Sequence, residues 1–173
     1  MSRSLVLNFV SFQALWFSCV VGGGGHGMVW LALASLVPIS ILTWYSPTRS
    51  ADAIIALLAL AAGLIIDNIW VVLGILDYPH NTFAPYWIAI LWVGLGLTVN
   101  HSMALFRDHT LVGSLVVGIA APVTYLAGER FGAVVVADLS ATPLISIVWF
   151  LTFYALSKFS LWMISNDGGE TAS

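Results

Sequence analysis

The sequence predicts an all-α membrane protein, a polytopic bundle of about six transmembrane helices, and three observations predict it. Hydrophobic residues make up 60% of the 173 positions and charged residues only 8%. Soluble domains are roughly 45–50% apolar and about 25% charged, so five Lys and Arg with eight Asp and Glu are too few to coat a water-exposed surface. The apolar residues come in long blocks, each near the ~20 residues a helix needs to cross about 30 Å of hydrocarbon. The links between the blocks are short and leave no room for a soluble domain.

The first block covers residues 5–21. Arg3 ahead of an apolar stretch imitates a secretory signal, but a cleavable signal ends in small residues. Here the stretch ends Trp16-Phe17-Ser18-Cys19-Val20-Val21, bulky where a signal is small, so a retained first helix is expected. The later blocks cover 28–45, 53–76, 85–106, 111–127 and 142–164. A glycine-rich link over 22–27 lacks the Lys-Ser/Thr that would make it a phosphate loop. The link over 46–52 offers Ser50 or Asp52 as an N-cap for the third helix. The link over 128–141 is the longest and has room for a re-entrant or surface segment. One transmembrane domain over 1–164 is expected, with a short disordered cytoplasmic tail over 165–173.

Basic residues set the expected orientation. Six spans put Arg3, Arg49, Arg107 and Lys158 on one side and Arg130 alone on the other. By the positive-inside rule both termini then face the cytoplasm. The halves also show a loose likeness: Val37-Pro38-Ile39-Ser40 in the second helix and Ala121-Pro122-Val123-Thr124 in the fifth each place a hydroxyl two residues after a proline. Inverted repeats with interrupted helices recur in transporters. Five basic residues form no patch for nucleic acid. The lone Cys19 excludes an intrachain disulfide, and His26, His80 and His109 fall in separate links without ligand spacing, so neither metal nor cofactor is expected.

Ionisable groups inside apolar helices are the functional candidates, because each costs about 2.5–3.5 kcal/mol to insert. Asp67, next to Asn68 in the third helix, is expected to be protonated or paired with a donor, as a proton, cation or catalytic site. Asn100-His101-Ser102 in the fourth helix supplies a candidate relay, base or ligand in His101; at ~100° per residue the three should not share one partner. Tyr125 and Glu129 share a face of the fifth helix. Glu129 or Arg130 is expected to reach Asp67, with Arg130 the favoured partner and Trp70 lining the cluster. Asn8 and Gln13 add polar amides to the first helix, Asn8 level with Asn100 and His101. Gly94, Gly96, Gly113 and Gly118 read as close helix packing. The tryptophans, among them Trp30, Trp44, Trp87 and Trp162, read as an interfacial belt.

Asn8, Phe12-Gln13, Trp16-Phe17, Asp67, Pro85-Tyr86-Trp87-Ile88, Asn100-His101-Ser102 and the run from Ala121-Pro122 to Gly128 together resemble a family of small bacterial inner-membrane proteins carrying a domain of unknown function. The likeness extends from about Asn8 to Leu151, and departs where relatives carry Gly-Pro and this chain has Ala121-Pro122. It implies an inner-membrane location and no established activity. Genes of that family often stand beside those of cyclopropane-fatty-acid synthases, which points toward lipids. Three readings follow: a protein of membrane-lipid modification or movement working at Asp67, a small proton-coupled transporter acting as a dimer (the homo-oligomer this reading needs), and a scaffold or accessory subunit whose polar residues are packing glue. The bilayer is the expected partner in all three, with a lipid or small molecule as substrate in the first two.

Overall fold

The computed structural model describes residues 3–23 and 29–170, with side-chain surroundings for residue 30 onward as far as 166 in the second stretch. Much of the glycine-rich link and residues 171–173 of the expected tail lie outside the described residues. The chain is an all-α bundle, as expected: α1 Arg3–Val21, α2 Val29–Trp44, α3 Arg49–Val72, α4 Tyr86–Gly96, α5 Ala104–Asp108, α6 Thr110–Arg130 and α7 Thr142–Glu170. α7 runs through Glu170, into the segment where the sequence predicts the tail.

Four helices are long and apolar enough to cross a bilayer: Arg3–Val21, Arg49–Val72, Thr110–Arg130 and Leu139–Asn166, the last including the turn ahead of α7. Trp30–Trp44 and Tyr86–Gly96 are apolar but shorter. The fourth predicted span is therefore broken. After Gly96 the chain unwinds through turns to Met103 before α5. Thr98 explains part of this, since both its N–H and its hydroxyl bond the Leu95 carbonyl, diverting the backbone from the helical pattern.

Three helix pairs carry most of the packing: α1 with α2, α3 with α4, and α6 with α7, while α3 also packs on α7. Glycines allow the tightest of these approaches. A side chain at Gly96 would strike the Ala56 backbone, one at Gly63 would strike the Trp92 ring, and one at Gly118 would strike the Ser146 carbonyl. Along α3 the buried residues form one stripe, Asp52, Ile55, Ala56, Ala59, Gly63, Asp67 and Trp70, at the spacing of a single helix face.

The long link between α6 and α7 forms half of a two-stranded antiparallel ribbon. β1 Leu76–Asp77 pairs with β2 Val135–Val136, with Leu76 opposite Val136 and Asp77 opposite Val135. Gly74 and Gly132 flank the ribbon at φ of 68° and 75°, a left-handed backbone that glycine adopts without a Cβ clash. A 3-10 turn, Leu139–Ala141, leads into α7. Ahead of it Asp138 accepts from the Ser140 hydroxyl and N–H, which holds its carboxyl below the ordinary carboxylate value.

Candidate functional site

Asp67 sits three-quarters of the way along α3 and is 1% exposed. Three neutral donors converge on it. The Tyr78 hydroxyl donates to Oδ1 at 2.6 Å, the Tyr125 hydroxyl to the same oxygen at 2.9 Å, and the Trp92 indole N–H to Oδ2 at 2.7 Å. These donors come from the ribbon segment, α6 and α4, so the carboxylate ties three parts of the chain to α3. The expected partner Arg130 does not hold Asp67. It is the last residue of α6 and is exposed, while Tyr125 lies about 7 Å nearer the bundle interior along the same helix. Glu129 does not reach Asp67 either; its carboxylate accepts from the Val136 N–H at 2.9 Å and clamps β2 to α6. Asn68 also serves the backbone, donating to the Leu64 carbonyl and accepting from the Ala84 N–H just before α4.

Those three donors form part of the wall of a cavity of about 280 Å³ lying between α1, α4, α6 and α7. Tyr78, Trp92 and Tyr125 line it together with Phe12, Trp16 and Trp87. Trp149 lines it from α7 and stacks on Trp92 with ring centroids 4.5 Å apart. Most of the wall is apolar or aromatic, with the polar edge supplied chiefly by the two phenols in front of Asp67. Small-molecule sites have this make-up, a mostly apolar concavity with few placed polar groups. Trp87, read as a belt residue, is 5% exposed and belongs to this wall, whereas Trp30, Trp44 and Trp162 are exposed. Tyr78 and Trp92 escaped the sequence reading. The signal for Trp92 was an indole in an apolar span, whose N–H needs an acceptor when buried.

A second polar cluster lies at the opposite end of α3. Asp52 is fully buried and accepts from Asn100 Nδ2 at 2.7 Å and from the Thr48 hydroxyl at 3.1 Å, and its Oδ2 lies 3.0 Å from His101 Nε2. Arg107 and Ser160 both donate to the side-chain oxygen Oδ1 of Asn100, and the Ser102 hydroxyl donates to Asn8 Oδ1 at 2.6 Å. This network joins α1, α3, α5 and α7 around the unwound segment. Asn100 and His101 share Asp52 while Ser102 bonds Asn8, so the three do not share one partner, and residues 97–103 that carry them are turns and not helix. Asp52, read only as a possible cap, is the hub. Gln13 is half-buried on α1 and makes none of the bonds that build either cluster. Among the described residues no group of three His, Cys, Asp or Glu is placed to hold a metal ion.

The long apolar helices, buried carboxylates and near absence of charge define the class: a multi-pass helical membrane protein. Within that class, the chain belongs to the family described as protein of unknown function DUF2878, whose model matches residues 5–155. No curated protein and no solved structure matches it significantly.

Proposed function

We propose that this chain is a multi-pass protein of a bacterial inner membrane, with both termini cytoplasmic, that takes part in membrane-lipid modification or movement. The observation that carries the reading is the aromatic cavity with Asp67 held behind its polar edge by Tyr78, Tyr125 and Trp92. An apolar wall in an apolar solvent selects for an apolar ligand, and the two phenols provide a place for one polar group. The orientation rests on charge: Arg107 bonds into the Asp52 cluster, Arg49 lies three residues before Asp52, and Lys158 lies two residues before Ser160, so these cations gather at one end.

The packing along α3 weighs against the alternative of a proton-coupled transporter acting as a dimer. Asp52 and Asp67 stand about 22 Å apart on one helix face, and the face between them is filled by Gly96 against Ala56 and Trp92 against Gly63. A scaffold reading would leave the cavity without a role.

The test is a mass-spectrometric lipid profile of membranes from cells lacking the protein, restored with wild type, Asp67→Ala or the milder Tyr125→Phe. The expected result is a lipid change that wild type reverses and both variants fail to reverse. A profile that is the same in all strains overturns the reading.

A further inference from the structure

We propose that the cavity admits its ligand sideways from the bilayer, between α1 and α6, and that this ligand is a single apolar chain ending in a hydroxyl group that docks against Tyr125. The proposal rests on the lipid reading above and adds the route and the head-group chemistry.

The route follows from how the helices pack. α1 packs on α2 and α4, and α6 packs on α7 and α5, while α1 and α6 flank the cavity without packing along one another. Each presents two residues four apart to the gap, Phe12 and Trp16 from α1 and Ala120 and Thr124 from α6. Ala120 and Thr124 are exposed and line the cavity at once, which places them at its mouth. Toward the ribbon the gap is closed by Phe131, whose ring meets Trp16 at 6.5 Å and Phe17 at 6.2 Å between centroids. An opening bordered by these side chains faces hydrocarbon, so what passes through it is already dissolved in the bilayer.

The head group follows from the hydrogen-bond inventory. Tyr125 and Tyr78, both on the cavity wall, commit their protons to Asp67, so their phenol oxygens are left as acceptors. Close by are donors without acceptors. On the cavity wall Trp149 carries a buried indole N–H with no hydrogen-bond partner among the described residues, and Trp70, 2% exposed and outside that wall, carries another. Buried donors are rarely left unpaired. A ligand hydroxyl answers both needs, donating to the Tyr125 oxygen and accepting from the Trp149 indole N–H. An ester accepts but has no proton to donate. A carboxylate has no proton to donate either and carries its charge toward Asp67.

The experiment incubates the detergent-purified protein with dodecanol, methyl dodecanoate or dodecanoate and reads retained ligand by native mass spectrometry. Wild type is expected to retain dodecanol about tenfold better than the ester, the worth of one buried hydrogen bond, and Tyr125→Phe to lose that preference. Ala120→Trp, which blocks the mouth without touching the Asp67 cluster, is expected to lose dodecanol while keeping the wild-type thermal midpoint; Thr124→Trp at the same rim is run beside it. Undiminished retention by both rim variants overturns the lateral route. Retention of the ester or the carboxylate as good as that of the alcohol overturns the head-group assignment and leaves the lipid reading standing. Retention of none of the three probes by wild type overturns the lipid reading as well.

Discussion

Asp67 shows how a single carboxylate is kept in an apolar bundle. Inserting such a group costs about 2.5–3.5 kcal/mol, and three donors between 2.6 and 2.9 Å offset that cost. Two of them share Oδ1, so their contributions are coupled. Tyr78→Phe and Tyr125→Phe are each expected to lower unfolding free energy by about 1–3 kcal/mol, and the double variant by less than the sum. Denaturant unfolding in detergent measures this, and strict additivity would show that the two hydroxyls act independently. Asp67→Ala strands three buried donors and should cost about 3 kcal/mol or more. Asp67 itself was legible, because an aspartate in an apolar helix has few explanations. Asp52 was not: in the first turn of α3 a carboxylate already has a reason to be there, through the helix dipole. Its spacing from Asp67 was the overlooked sign, since fifteen residues bring the two within about 60° around the helix.

Among the elements, the ribbon and the break after α4 decide the shape of the site. Tyr78 and Val134 reach the cavity from the ribbon strands' flanks, so the ribbon forms one end of its wall. Two ladder pairs and the Glu129 carboxylate hold β2 in place, together with backbone bonds from Ala133 to Gly128 and from Ala137 and Asp138 to Ile75. Glu129→Ala is therefore expected to raise amide exchange over residues 133–137 while α6 itself stays protected, measured by hydrogen–deuterium exchange. Glu129→Gln, which keeps an acceptor oxygen, should exchange like wild type. Equal protection in wild type and Glu129→Ala would show that the clamp contributes nothing. The break after Gly96 places Asn100 and His101 on one carboxylate, Asp52, and turns Ser102 to Asn8.

At the scale of the whole molecule, two polar clusters sit at opposite ends of a bundle whose middle is packed through glycine and alanine. The cations of one end belong to the Asp52 cluster or its neighbourhood, whereas Arg130 stands at the ribbon end. The proposed orientation predicts that a cysteine placed at Arg130 reacts with a membrane-impermeant maleimide in intact spheroplasts, and one placed at Arg49 only after the membrane is opened. Cys19 is fully buried, so it contributes little background. Labelling in the reverse order would invert the topology and with it the side on which the ribbon closes the cavity.

The amino-acid sequence by itself determined the helical class, the approximate extent of α1, α2, α3, α6 and α7, and the presence of Asp67, Tyr125, Asn100 and His101 as polar groups within the bundle. These are local properties, readable from apolar run length, proline and glycine positions, and the energetic cost of a polar group in hydrocarbon. The tertiary structure alone decided which groups meet. It gave Asp67 to Tyr78, Trp92 and Tyr125 and not to Arg130, turned Glu129 toward the ribbon, and made Asp52 a hub. It also paired residues 76–77 with 135–136 across nearly sixty positions of chain. Partner choice in a bundle depends on which helices pack and how far each side chain reaches across the gap, and no local pattern carries that information.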